Sequence, residues 1–409
     1  MQKPELIAPA GDLEKLKIAF QFGADSVYAS TPNFSMRTRE IGFTQDSLKE
    51  GIEYAHLLGK KVYLTLNTFP HSSDIEALKK HAKKTIDLKP DAIIIADPGV
   101  LDFVRKNTKI PIHLSTQANT TNYLAANFWK KQGVDRIVLA RELSLTDINL
   151  IAKKSKIELE SFVHGAMCMA YSGRCQISNY LTGRDPNKGA CVQACRFKYK
   201  MYGLEEELRP GEIFPIYEDD NGSYVLNSKD LCMIDHIPEL VEAGIKSFKI
   251  EGRMKGIYYL GIIVRAYRKA IDLYFDSPAG GLKKYKKECK NFIEEVKKTS
   301  SRGFTTGFYF KNPSHETNNY ETSRASGSYT FVGVVKEYDK EKQIVKVSIN
   351  NRLRIGSKLE IVTPGDIVLH KLTKMLCKGE KATEVHAGSI IEFKINKYLP
   401  ENSLIRVNN

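Results

Sequence analysis

Four of the seven cysteines in this 409-residue chain, Cys168, Cys175, Cys191 and Cys195, fall within 28 residues. They lie in HGAMCMAYSGRCQISNYLTGRDPNKGACVQACR, His164 to Arg196, with the spacing C-x6-C-x15-C-x3-C. Three chemistries accept clustered thiolates. An iron–sulfur cluster tolerates varied spacing if four thiolates converge in a shielded pocket. Structural zinc favours two C-x2-4-C knuckles, and only the last pair approximates one. The third is a nucleophilic, redox or merely buried thiol. Gly165, Gly173 and Gly189 would let the backbone approach inorganic sulfide. Cys232, Cys289 and Cys377 are isolated, and Cys232 is the best reserve ligand because it shares the same stretch of chain.

The thiols favour ligand or reactive roles over disulfides only in a reducing compartment. The opening MQKPELIAPAGDLEKL has no basic segment leading into an apolar one, and no run approaches eighteen apolar residues. The expectation is therefore a cytoplasmic protein with no membrane partner. At 42% hydrophobic residues, disorder is excluded. A net charge of +14 attracts polyanions, nucleic acid being the commonest, although solvated helix faces also carry lysine. Oligomeric state leaves no trace in the sequence.

The elements that must position these residues repeat. FGADSVYAS, LGKKVYLTL, LKPDAIIIAD, QGVDRIVLARE and AGIKSFKIEGR each close a helix on a turn residue and run into a β-branched or aromatic stretch. Gly23, Gly59, Gly133 and Gly244 sit where a helix end needs positive φ. Eight strands are expected: Glu5–Ala8, Ser26–Ala29, Val62–Leu66, Ala92–Ala96, Ile112–Ser115, Arg136–Ala140, Ile157–Val163 and Ser247–Ile250. This alternation predicts an α/β fold, a (β/α)8 TIM-type barrel over residues 1–298, with a Cys-rich insertion after strand 7 at about 165–245. Residues 299–325, rich in Gly, Ser, Thr and Asn, read as a linker. Residues 326–409, with strand-period runs such as FVGVVKEYD and QIVKVSI, read as a small antiparallel β-barrel. There Lys336, Lys340, Lys342, Lys346, Arg352 and Arg354 could face phosphates, although exposed strands carry lysine anyway.

Barrel chemistry gathers past the C-terminal ends of strands. Those positions hold Tyr28, Asn67, Asp97, Gln117, Asn119, Arg141, Glu142, His164, Glu251 and Arg253, a polar ring suited to a small anionic metabolite; polarity there can also mean only contact with water. Arg141, His164, Glu251 and Arg253 are the candidate catalytic residues. Guanidinium forks match carboxylates, although Arg253 could instead pair with Glu251. His164 could donate to a substrate or sit satisfied beneath it. Tyr171 could cover a cluster or stack on a base, or simply pack.

GAMCMAYSGRCQIS followed by NKGACVQACR, with APAG at the start, STQANTTN in the fifth unit and KIEGRMK at the last strand, resembles the collagenase-like peptidase family of unknown catalytic type, number thirty-two in that series. NSKDLCMI and the trailing β domain are most similar to its tRNA-hydroxylating branch. That resemblance implies an iron–sulfur enzyme that converts the wobble uridine of certain tRNA anticodon loops to 5-hydroxyuridine without oxygen, using prephenate and a [4Fe-4S] cluster. Cys168 and Cys175 match the pair around YSGRC, and Cys191 and Cys195 match the C-x3-C that follows. Whether Cys195 or Cys232 is the fourth ligand stays open, as does zinc. Arg174, Arg184, Lys188 and Arg196 could hold phosphates or balance the cluster's charge. The peptidase alternative lacks H-E-x-x-H and G-x-S-x-G, leaving only a cysteine nucleophile beside His164.

Overall fold

The computed structural model describes residues 2–30, 34, 42–167, 172, 178, 192, 229–276, 281–299, 303–311 and 328–408, with short strands at 204–205, 213–214, 218–219 and 222–223. The four clustered cysteines, Tyr171, Arg174, Arg184, Lys188 and Arg196 lie outside the described residues.

Eight parallel strands form the barrel: β1 (Glu5–Ala10), β2 (Ser26–Ser30), β3 (Lys61–Leu66), β4 (Ala92–Ile95), β5 (Ile112–Leu114), β6 (Arg136–Val138), β7 (Glu158–Ala166) and β8 (Ser247–Ile250). They pair in chain order, and β8 closes the ring by bonding to both β1 and β7. The alternating helices begin where side chains can cap them. Asp12 precedes α1 (Leu13–Gln21), Thr44 precedes α2 (Gln45–Leu57), Asp97 precedes the helix Pro98–Asn107 and Ser144 precedes the helix Leu145–Ser155; each accepts the backbone N–H three residues on. Gly23, Gly59, Gly133 and Gly244 all adopt the expected positive φ. Apolar side chains between strands and helices make one continuous core.

β7 outgrows the barrel. Its last residues, His164 to Ala166, pair antiparallel with Asp230–Cys232. That strand pairs in turn with Phe304–Thr305. Part of the expected linker therefore belongs to the barrel: Tyr309 is buried, and its hydroxyl meets Ser161 Oγ at 2.6 Å and donates to the Phe162 carbonyl at 2.5 Å. Its composition suggested loop, but the open edge of Asp230–Cys232 offered backbone bonds to any extended segment.

After β8 come two long antiparallel helices, Ile257–Phe275 and Gly281–Lys297. The C-terminal domain is an eight-stranded antiparallel sheet with its own core. Its end strands, Ile367–Lys371 and Glu380–Ala382, are not paired with each other among the described residues. The domain docks tightly on the barrel flank. Leu404 lies against Gly261, where a Cβ would stand 2.5 Å from its Cδ1. Arg406, wholly buried, reaches Glu295 at 2.9 Å and Glu360 at 2.7 Å.

Candidate active site at the barrel mouth

The barrel interior is polar along much of its height. Glu160 on β7 has no exposed surface and is bonded to Lys249 Nζ at 2.6 Å, Arg136 Nη1 at 3.1 Å and Ser247 Oγ at 3.3 Å. Arg136 crosses the lumen to Glu5, 2.6 Å away, and also reaches Glu158 at 2.6 Å. Burial alone would raise the Glu160 pKa, but Lys249 and Arg136 outweigh it and hold the carboxyl at about 2. Burial lowers Lys249 from its ordinary value, with Arg136 and Arg253 adding to the effect against the pull of Glu160. His113, edge-on to Tyr63 at 4.7 Å, is held neutral by burial and then by Arg136.

Above this ladder, three cations converge on two aromatic rings. Lys249 Nζ lies 4.3 Å from the Tyr28 ring centre and 5.7 Å from that of Phe162. Arg253 approaches Tyr28 at 5.7 Å and donates to Thr65 Oγ1 at 3.4 Å. Arg141 covers Phe162 at 3.9 Å. Two of the four candidate catalytic residues, Arg141 and Arg253, are thus brought to one patch at the C-terminal mouth. Lys249 joins them from an inward strand position, and its signal in the sequence was a lysine inside the apolar run of SFKIEGR. Polar groups continue the rim, where Asn67 Nδ2 donates to Ser115 Oγ at 3.2 Å and Gln117 Oε1 at 2.8 Å.

The other two candidates are placed differently. Glu160 and Phe162 point into the barrel, so strict alternation would carry His164 inward too. A β-bulge intervenes: Lys249 pairs with Phe162 but Ile250 with His164, leaving Val163 as the extra residue. His164 consequently packs outward, 5.5 Å from Tyr267, 5.9 Å from Tyr259 and 5.6 Å from Phe304, with Nδ1 3.3 Å from the Tyr267 hydroxyl. Burial, aided by Lys255, pushes its pKa down to about 3, so the ring is neutral. His164 therefore does not project into the mouth, contrary to its expected place among the catalytic residues. Glu251 is buried; its backbone N–H donates to the His164 carbonyl at 2.8 Å, and its own carbonyl accepts from the Tyr259 hydroxyl at 2.9 Å. Gly165, at φ 106°, permits this approach: a Cβ there would stand 2.5 Å from the Glu251 carbonyl oxygen.

Further expectations shift. Asp97 caps its helix by accepting Val100 N at 3.0 Å. Cys232 is buried in the core, and burial pushes its thiol up to about 12. Glu142 reaches into the cysteine segment. Its Oε1 accepts the backbone N–H of Ser172 at 2.7 Å, between Cys168 and Cys175 in sequence. Thr116 Oγ1 stands 3.4 Å from Ser172 Oγ. Ser178 Oγ accepts the N–H of Val192, the residue after Cys191, at 3.2 Å. Among the described residues no group of three or more His, Cys, Asp or Glu side chains converges as a metal site. No described helix is long and apolar enough to cross a membrane. On the C-terminal domain, four of the six expected phosphate-facing cations have ion pairs: Lys336 lies 3.3 Å from Glu14, Lys342 3.3 Å from Asp339, and Arg352 and Arg354 share Glu384, while Lys340 lies 5.1 Å from the Tyr398 ring centre.

Comparison with known proteins gives a consistent match. The family model described as Peptidase family U32 matches residues 11–319, and that of its C-terminal domain matches residues 327–406. The tRNA hydroxylation protein P1 of Bacillus subtilis is 37% identical over 99% of this chain and 95% of its own. The tRNA hydroxylation protein P of Helicobacter pylori is 43% identical over 99% of both chains. The 23S rRNA 5-hydroxycytidine C2501 synthase of Escherichia coli is 30% identical over 98% of this chain and 59% of its own.

Proposed function

Because the chain belongs to peptidase family U32, with relatives matched over nearly their whole length that are named for tRNA hydroxylation, we propose that it is an RNA-modifying hydroxylase acting on the wobble uridine of tRNA anticodon loops. The product is 5-hydroxyuridine, and prephenate is the co-substrate. The observation that carries this reading is the gathering of Arg141, Lys249 and Arg253 about Tyr28 and Phe162 at the barrel mouth. A dicarboxylate suits it, because each guanidinium offers a fork to one carboxylate.

Cys168, Cys175, Cys191 and Cys195 would hold a [4Fe-4S] cluster. When bound, the cluster supplies electron transfer or activation of the oxygen donor, since no side chain hydroxylates an unactivated ring carbon unaided. The chain's own residues do the rest. Glu142 and Thr116 tie Ser172 to the loops after β6 and β5. Arg141 and Arg253 orient the anion at the mouth. A wobble base is unpaired, so entering the mouth requires little extrusion.

The test is nucleoside mass spectrometry of tRNA from cells with and without the gene. Loss of 5-hydroxyuridine is expected; an unchanged level in a strain with no second enzyme for this step refutes the reading. Anaerobic purification separates the cofactor from the activity. Coloured protein carrying iron and sulfide is expected, whereas colourless protein with stoichiometric zinc removes the cluster alone. Proteolysis abolished by thiol alkylation would favour the peptidase alternative.

A further inference from the structure

If the mouth handles one base, a tRNA must be held elsewhere as well. A dense run of positive charge lies on the helix Gly281–Lys297. Lys283, Lys284, Lys286, Lys287 and Lys290 are exposed, and none has an ion pair among the described residues. Their only carboxylate neighbour in the first ten helical residues, Glu288, accepts a hydrogen bond from Asn291 at 2.6 Å. The arrangement works against the helix. Lysines at spacings of three and four face one another as like charges (283 with 286 and 287, 284 with 287, 286 with 290, 287 with 290). They also crowd the N-terminal half, whose first turn has no acid to meet the macrodipole. The inner face is fixed by Tyr285, which is buried, and by Phe292, Ile293 and Val296, so the lysines cannot turn away from solvent.

We propose that this face is a docking surface for the phosphodiester backbone of a double-helical stem of the substrate RNA; the inference rests on the RNA reading above. Lys283, Lys287 and Lys290 form one stripe. Seven residues of helix rise about 10 Å, the length over which one duplex strand presents about three phosphates. The stripe carries no apolar side chain, so it has nothing to insert into a bilayer, which distinguishes it from a membrane-surface helix.

The experiment compares native protein with the K283Q/K287Q/K290Q variant in filter binding of an unmodified tRNA transcript. Salt is raised from about 50 to about 200 mM, the range over which phosphate contacts reveal themselves. Three lost contacts lower the slope of log K against log salt by roughly 2 to 3, so the native protein loses about twenty- to forty-fold more affinity than the variant across that range. The melting temperature does not fall, because the substitutions relieve like-charge contacts; a purely structural role would lower it. An unchanged slope overturns the proposal. So does loss of binding to phosphatidylcholine vesicles containing phosphatidylserine while the tRNA slope holds, which would assign the face to a membrane surface. A native protein that binds no tRNA takes the RNA reading down with it, whereas a native protein that binds while the variant matches it sinks this surface alone.

Discussion

Replacing Glu160 by glutamine removes the carboxylate to which Lys249 is bonded at 2.6 Å, at a site with no exposed surface. The depression of its pKa from 4.5 to about 2 corresponds to about 3 kcal/mol of differential interaction. Truncating one partner of a buried pair costs about 3–5 kcal/mol, because the other charge is left without compensation. Arg136 keeps Glu5 and Glu158, so the strain falls on Lys249. For a barrel of roughly 300 residues losing ~2.1 cal/mol/K of entropy per residue, that is a fall in Tm of about 5 to 8 °C at pH 7. The sign with pH follows from the shift. A carboxylate held low contributes fully above its unfolded value, and that contribution disappears as pH drops from about 4.5 toward about 2. The variant lacks this acid limb. It also regains stability on the alkaline side, since Lys249, driven further down, then no longer competes with protonation in the unfolded chain. The double variant E160Q/K249M, with neither charge, recovers most of the loss. The assay is thermal unfolding by circular dichroism from pH 3 to about pH 10. A single variant within 1 °C of native, or a double variant no better than the single, would refute the reasoning.

Three further outcomes are expected. Arg253→Lys loses the planar fork and raises the KM for the proposed carboxylate co-substrate by about ten- to a hundredfold with a smaller change in kcat, measured as product formed against prephenate concentration. Glu142→Ala frees the Ser172 backbone N–H and, with the proposed cluster bound, lowers the iron retained per chain after anaerobic gel filtration, while Glu142→Gln, which can still accept that bond, retains more. Cys232, its thiol pushed up to about 12 by burial, resists iodoacetamide in the folded protein at pH 8 and reacts on unfolding; rapid native labelling by mass spectrometry would contradict its placement.

The alternation of elements was legible because its signals are local. A β-branched run, a capping Asp or Ser and a glycine after the helix each act within a few residues, and the eight barrel strands lie where those signals put them. The concentration of thiols between β7 and β8 and the cation at Arg253 were equally plain in the chain. Tertiary closure decided the rest. Glu160 and Lys249 lie 89 residues apart and meet only because β8 pairs with β7 as the ring closes. One extra residue at Val163 turned His164 from the lumen to the helix layer, since a strand's faces alternate with period two and a bulge of one reverses everything beyond it. Phe304–Thr305 became strand because an open edge lay beside it, whatever its composition suggested. Periodicity is written into neighbours along the chain, whereas register and the face a side chain finally presents depend on which distant strand supplies the other half of each backbone bond.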